Sequence, residues 1–184
     1  MLASASHWPL RTTRTATMPG PHAVFSYGSN GMAQLRDRCK NPEISGIPAI
    51  LPDAVRIFAG TSKRWADGGV ASVIPKPGSE VLGNVAMLSN EELKLLDVFE
   101  CGPGIEDPYS QDGSYRRQDI RVKAGTSKED LEDLDAVVYI KNDITWVAMP
   151  SQGYMDACLR NVLEFWPGAS VEVRDETGEL RGGE

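Results

Sequence analysis

Short apolar blocks separated by polar and turn residues run through the central part of the chain. Blocks of strand length lie at residues 23–25, 55–58, 70–74, 81–88, 115–122 and 136–140. Turn residues separate several of them, notably at 67–69 and 75–78. Helical spacing follows Asn30, Ser89 and Ser151. The pattern predicts an α+β domain built on a small mixed β-barrel or curled sheet with packed helices.

The second helix has sharp boundaries in the sequence. Ser89 and Glu92 form a capping-box pattern, so the helix is expected to begin at about Asn90. The Gly-Pro-Gly run at 102–104 should end it. The last helix is bounded similarly, because Ser151 caps a face predicted to carry residues 155, 159, 162 and 166.

Glu100 falls on the apolar face of the second helix. Leu93, Leu96 and Glu100 share one face, and Phe99 is expected to add to the stripe that packs on the core. Burial and the negative end of the helix dipole both disfavour a charged carboxylate, so we expect a lone Glu100 with a raised pKa. Such a group suits general acid–base chemistry. The alternative is an ordinary surface glutamate at a helix end.

A glycine turn follows the first predicted strand. The segment Phe-Ser-Tyr-Gly-Ser-Asn at residues 25–30 leads from the strand into a helix, with Asn30 as its expected N-cap. A strand, a turn and a helix N-terminus together place unpaired backbone N–H groups around one point. We therefore expect this turn to bind a carboxylate or an oxyanion.

Composition narrows the classes of function. The net charge of −7 over 184 residues argues against nucleic acid and anionic membranes as partners. No apolar run approaches the length that spans a membrane. Cys39, Cys101 and Cys158 are odd in number and widely spaced, which is typical of free thiols in a reducing compartment.

The sequence predicts no catalytic role for histidine. His7 and His22 both precede the first motif, so no Ser-His-Asp or Cys-His arrangement can be drawn within it. No Cys/His cluster has the spacing of metal ligands either. We expect no metal and no cofactor, and a reaction that depends on carboxylates, hydroxyls and backbone groups.

The two ends of the chain differ from the predicted domain at 22–168. Residues 1–21 contain Arg11 and Arg14, many Ser and Thr, and no acidic residue. This composition fits an organelle transit peptide or a disordered extension. The sequence leaves both open, with the cytoplasm as the expected location. Residues 169–184 are expected to form a polar tail.

Several ordered segments resemble the gamma-glutamylcyclotransferase family. They cover about residues 22–166 and lie at 27–30, 65–75, 78–83, 93–100, 115–117, 138–140 and 150–156. The resemblance implies a barrel with helices around it and intramolecular cyclisation of a gamma-glutamyl amino acid to 5-oxoproline, without water or cofactor. It assigns the general acid–base role to Glu100. It places substrate contacts at Tyr27, Gly28, Ser29, Asn30 and Tyr139.

Other members of this fold leave alternatives open. The substrate could be a gamma-glutamyl amine or glutathione, or the protein could be a non-catalytic member that binds a small acid or a partner protein. The oligomeric state stays open, with a homodimer among the options. Arg36 and Arg38 could contact an acidic leaving group or be solvated, and Trp65 and Tyr139 could line the pocket or pack in the core.

Two departures from the family pattern lie just after Glu100. Cys101 stands where the family usually has glycine, so its backbone is expected to avoid positive φ, and an exposed thiol there would make activity sensitive to oxidation. The following loop, residues 102–114, carries Glu106, Asp107 and Asp112. If it covers the pocket, we expect it to disfavour leaving amino acids with an extra carboxylate.

Overall fold

A computed structural model of the chain describes residues 19–146, 148–174 and 178–179. Within these residues, strands and helices alternate along the chain. The elements are β1 His22–Ser26, α1 Met32–Cys39, β2 Gly46–Ser62, β3 Gly68–Leu88, α2 Asn90–Glu100, β4 Tyr115–Ala124, β5 Glu132–Lys141 and α3 Gln152–Phe165. The strands close into a barrel in the order β1-β3-β2-β4-β5. The predicted α+β fold with a small barrel is confirmed.

Strand β1 closes the barrel. It runs antiparallel to β3, with Ser26 opposite Asn84, and parallel to β5, with Phe25 opposite Val138. All five of its residues are buried. Because both edges of β1 are paired, its carboxyl end, where the glycine turn begins, is held against two neighbouring strands.

Strands β2 and β3 form a long hairpin with an interruption in its pairing. Pro52 lies opposite Glu80, but Ala54 lies opposite Pro75, so residues 76–79 have no counterpart on β2. Asp53 adopts a positive φ of 52° and accepts a hydrogen bond from the Gly78 N–H at 2.8 Å. The predicted separate strands at 70–74 and 81–88 are therefore two halves of one bent strand, since the Pro/Gly run forms a bulge.

The two larger clusters of buried residues lie within the barrel and between the barrel and the helices α1 and α2, and a small third cluster contains Ile57. The inner cluster includes Phe25, Phe58 and Val73. The second includes Leu35 and Leu93. Helices α1 and α2 thus pack against the outside of the barrel, whereas Tyr154 and Cys158 of α3 belong to the inner cluster.

Helix α2 agrees with its sequence signals except at one position. Both hydrogen bonds of the Ser89–Glu92 capping box are present, and Leu93, Leu96 and Glu100 are buried. The prediction that Phe99 packs on the core is wrong, because the residue is 53% exposed. Asp97 takes the inward position that an apolar stripe would have given to a hydrophobic residue.

The other two helices require corrections at their caps and faces. The N-cap of α1 is Gly31, not Asn30, and no side chain caps it. Ser151 caps α3 as predicted. The buried face of α3 consists of residues 154, 158, 161 and 162, so of the predicted stripe Val162 and the following Trp166 are buried, while positions 155 and 159 are only partly buried. Within the described part of the chain, no helix is long and apolar enough to cross a membrane.

The predicted extension at 1–21 lies almost entirely outside the described residues. All three cysteines are free and buried, in agreement with the sequence.

Candidate active site

A cavity of about 340 Å³ opens where β1 ends. The turn at 27–30 forms one wall, and α1 and α2 contribute Gln34, Arg38, Phe99 and Glu100. The remaining lining comes from strand ends and from α3, including Trp65, Tyr115, Tyr139, Lys141 and Tyr154. This volume is in the range of small-molecule sites. The structure therefore brings Glu100, the turn at 27–30 and Tyr139, to which the resemblance assigns roles, to one cavity.

Glu100 is held from one side only. Its Oε1 accepts hydrogen bonds from Asn30 Nδ2 and from Arg38, each at 2.6 Å. No described residue provides a hydrogen-bond partner for Oε2. The side chain is 10% exposed, and the residue lines the cavity. A carboxylate oxygen with two fixed donors cannot rotate freely, so the unpartnered oxygen keeps one orientation.

These contacts contradict the expectation of a lone carboxylate. Arg38 forms an ion pair with Glu100 and also donates to Asn30 Oδ1 at 2.7 Å. Its guanidinium carbon lies 5.2 Å from the centroid of the Phe99 ring. Asn30, Arg38 and Glu100 form a triangle of hydrogen bonds. The side-chain amide of Asn30 is engaged in this triangle and therefore does not cap α1. The exposed Phe99 is explained as well, since its ring covers the arginine.

The turn after β1 has its carbonyl groups tied to the protein interior. Arg56 Nε donates to the Tyr27 carbonyl at 2.9 Å, and Asn161 Nδ2 donates to the Gly28 carbonyl at 2.8 Å. Arg56 also donates to the Leu82 carbonyl at 3.0 Å. Buried donors on β2 and α3 therefore fix the orientation of the peptide groups in the turn.

The N–H groups of the same turn remain without partners. Among the described residues, none accepts a hydrogen bond from the backbone N–H of Gly28, Ser29 or Asn30. The turn lines the cavity. Donors of this kind, fixed in place, are suited to binding an anion.

At Gly28 the space for a side chain is tight, whereas the backbone conformation sets no requirement for glycine. Its φ lies outside the positive region. A Cβ at this position would lie 3.3 Å from the Cβ of Ala71 and 3.4 Å from the hydroxyl of Tyr154. The reason for glycine here is thus the close approach of β3 and α3.

Tyr139 and Tyr27 support the walls of the site through buried hydrogen bonds. The Tyr139 hydroxyl donates to Asp97 Oδ1 at 2.7 Å, and burial raises its pKa well above the usual value. The Tyr27 hydroxyl donates to the Tyr139 carbonyl at 2.7 Å. Tyr139 therefore contacts Asp97 and not Glu100, although the sequence resemblance places it near the base.

The structure places Trp65 at the cavity and Arg36 away from it. Trp65 lines the cavity and packs edge-on against Tyr154 with 5.0 Å between ring centroids. Arg36 donates to the Ile44 carbonyl at 2.7 Å and does not line the cavity. Of the two arginines proposed from sequence, Arg38 alone reaches the site. The signal for it was its position two helical turns after Asn30.

Cys101 and the acidic residues of the loop after it do not line the cavity, and Ser114 is the one residue of the loop at 102–114 that does. Cys101 has φ −81°, as expected, and it is buried, with a thiol pKa raised by that burial to about 12. Residues 101–113 do not line the cavity. Neither the exposed reactive thiol nor the acidic filter therefore has the geometry that those expectations required.

Metal binding has no preorganised site in the described ranges. There, no group of three or more His, Cys, Asp or Glu side chains is placed to hold a metal ion. The charged side chains that line the cavity in the described part of the chain are instead Glu100, Arg38, Arg64 and Lys141.

Solved structures share this architecture. A gamma-glutamyl cyclotransferase aligns at a TM-score of 0.66 with 24% identity over 87% of this chain and 93% of its own. An uncharacterized protein from Homo sapiens aligns at 0.67 with 24% identity over 88% and 94%. A yeast gamma-glutamyl cyclotransferase specific to glutathione aligns at 0.55 with 16% identity over 82% and 90%. At these identities the likeness concerns the fold.

The sequence itself gives the family. No curated protein matches the chain. The profile described as gamma-glutamyl cyclotransferase, AIG2-like, matches residues 24–156, which include the turn, Arg38 and Glu100. The chain therefore belongs to the gamma-glutamyl cyclotransferase, AIG2-like family.

Proposed function

We propose that the protein is a gamma-glutamylcyclotransferase that converts a gamma-glutamyl amino acid into 5-oxoproline and the free amino acid. The observation that carries this proposal is the asymmetric environment of Glu100. One oxygen is fixed by Asn30 and Arg38, and the other faces a cavity without a partner among the described residues. A fixed, accessible carboxylate oxygen is the group that a proton transfer needs.

The reaction begins with the α-ammonium group of the glutamyl unit. Glu100 accepts a proton from it, and the resulting amine attacks the γ-carbonyl carbon of the same molecule. A C–N bond forms and the carbonyl oxygen becomes an oxyanion. We assign the N–H groups of Gly28, Ser29 and Asn30 to both negative groups, the oxyanion and the glutamyl carboxylate.

Collapse of this intermediate completes the reaction. The bond between the γ-carbon and the leaving nitrogen breaks as protonated Glu100 returns its proton to that nitrogen. The second proton of the attacking nitrogen then passes through Glu100 to the departing amine, which leaves as an ammonium group. The carboxylate is thereby regenerated and 5-oxoproline is released. Neither water nor a cofactor is consumed. A large part of the rate should come from holding the flexible glutamyl chain folded with amine and carbonyl in contact.

The turn must keep its shape while charge changes in the cavity. Arg56 and Asn161 hold its carbonyl groups from behind, so its N–H groups need not reorganise when the oxyanion forms. Arg56 is a buried cation, and no carboxylate among the described residues forms an ion pair with it. Its positive charge behind the turn would favour an anion in front of it.

The test is direct conversion. The purified protein is incubated with gamma-glutamyl-alanine, and 5-oxoproline and alanine are quantified by chromatography in equal amounts. Glu100→Gln, which keeps the shape of the side chain, serves as the control for a contaminating activity. Binding of the dipeptide without any 5-oxoproline would show a non-catalytic member of the fold instead.

A further inference from the structure

The cavity contains more positive charge than Glu100 can balance. Arg38, Arg64 and Lys141 line it, whereas Glu100 is the one acidic residue of the described chain that does. Arg38 is paired with Glu100. Two cations, Arg64 and Lys141, therefore face the cavity with no carboxylate of the described residues in ion-pair contact.

Arg64 lies at the mouth of the cavity, next to the catalytic triangle. Its guanidinium lies over the Trp65 ring, 5.7 Å from the centroid. The Gln34 amide is assigned the orientation that satisfies both of its ends: its oxygen then accepts from Arg64 at 3.2 Å and from Arg38 at 2.7 Å, and its nitrogen donates to the Ser29 carbonyl at 2.9 Å. Gln34 thus connects Arg64 to both the arginine of the triangle and the turn.

Lys141 approaches from the end of β5 and is half-buried. Its Nζ lies 5.2 Å from the centroid of the Tyr115 ring. Gly60 gives the stem room, because a Cβ there would lie 2.3 Å from the lysine Cε. Burial lowers the pKa of Lys141, and the exposed Asp143 opposes that shift. A half-buried ammonium group without an ion pair is costly unless a ligand balances its charge.

We infer that Arg64 and Lys141 bind the carboxylate of the leaving amino acid, which makes the protein selective for gamma-glutamyl amino acids over gamma-glutamyl amines. This inference rests on the proposed function. A gamma-glutamyl amino acid carries two carboxylates, one on the glutamyl unit and one on the leaving group. The N–H groups of the turn serve the first, and two cations remain for the second.

Two substrates that differ by this one carboxylate provide the test. Gamma-glutamyl-alanine and gamma-glutamyl-ethylamine have the same scissile amide, and their leaving groups differ by the carboxylate. We expect the wild type to have at least about a tenfold higher kcat/KM for the alanine compound, since a charge-assisted hydrogen bond contributes on the order of 1.5–3 kcal/mol. The difference should lie mainly in KM.

Three variants assign the effect to residues. Lys141→Met and Arg64→Gln should each lower the ratio of kcat/KM for gamma-glutamyl-alanine to kcat/KM for the ethylamine compound by about fivefold or more. Lys63→Gln removes an exposed neighbouring cation that does not line the cavity, and it should change neither substrate. Circular dichroism checks that each variant is folded. If Lys141→Met is unstable, Arg64→Gln alone tests the inference, because Arg64 is at an exposed position.

Equal rates on both substrates in the wild type would overturn the inference while leaving cyclotransferase activity established. Equal losses on both substrates in Lys141→Met and Arg64→Gln would also overturn it. Absence of 5-oxoproline from either substrate would instead overturn the proposed function, on which this assignment rests.

Discussion

Helix α2 carries two buried carboxylates one turn apart, and their surroundings differ sharply. Asp97 accepts from Arg117 through both of its oxygens and from the Tyr139 hydroxyl. Glu100 has both of its donors on Oε1, and its second oxygen has no partner among the described residues. Two acids with nearly equal burial thus differ in what remains for a ligand to contact.

This difference distinguishes a buried carboxylate that stabilises the fold from one that has an oxygen available for chemistry. The Asp97 contacts connect α2 to β4 and β5 and leave no oxygen available. A carboxylate saturated in this way is a poor proton acceptor, because a new contact would displace an existing one. The Glu100 contacts fix one oxygen and present the other to the cavity. Burial alone, which was the sequence argument, does not distinguish the two.

The strongest way to break this comparison is to neutralise each acid and measure turnover. Glu100→Gln should lower kcat by about a hundredfold or more, because the amide cannot accept the substrate proton. The kcat of Asp97→Asn should remain at least about tenfold higher than that of Glu100→Gln, since Asp97 contacts no reacting atom. The measurement is 5-oxoproline release by protein shown to be folded. Near-normal turnover in folded Glu100→Gln would refute the mechanism.

Stability should show the opposite order. Asp97→Asn leaves the buried Arg117 guanidinium without its charge partner, and breaking such a pair costs about 3–5 kcal/mol in free energy of unfolding. Glu100→Gln should cost less than half as much, because Arg38 retains the Asn30 oxygen and access to water in the cavity. Urea unfolding at constant pH measures both. Equal losses would mean that the two pairs are structurally equivalent.

How much of this arrangement could be predicted from sequence depends on the distance over which each residue acts. The capping box of Ser89 and Glu92 and the inward face of Glu100 follow from patterns within one helix, and both are confirmed. Asn30 was wrong as a cap, because its partner Glu100 is 70 residues away. Local propensity cannot choose between a backbone N–H nearby and a carboxylate that only the closed barrel brings into contact.

The residues that the sequence missed share this dependence on long-range structure. Asn161 reaches the Gly28 carbonyl from α3, and Arg56 reaches the Tyr27 carbonyl from β2. Arg64 and Lys141 come to the cavity from different strand ends. None of these positions carries a local motif, and a buried arginine in a strand is unexpected from composition. Their roles become visible only with the register of the barrel.

The arginine partners sharpen the comparison at a smaller scale. Arg38→Gln removes one of the two donors that fix Glu100 Oε1, so kcat should fall by about tenfold and the pH profile of kcat should change. Arg38→Lys should recover part of the activity, because it restores the charge without the shared contact to Asn30. Steady-state kinetics across pH measures this. An unchanged pH profile in Arg38→Gln would mean that Arg38 does not act through Glu100.

The smallest expected effect concerns Cys101, which adjoins Glu100 and lies near Asp97. Burial is the main reason that its thiol pKa rises from 9.0 to about 12, and the Asp97 charge adds to it. The folded protein holds this proton more tightly than the unfolded chain. Its contribution to stability is therefore complete below pH 9 and is lost as the pH rises towards 12.

Cys101→Ala should accordingly flatten the fall in unfolding free energy between pH 9 and about 10.5, the accessible part of that window. Cys39 and Cys158 also have raised pKa values, each about 11, so the slope should diminish and not vanish. Urea titrations at several pH values measure the slope. If wild type and Cys101→Ala show identical slopes, the Cys101 thiol is not the titrating group. The loss of stability at high pH then comes from another residue.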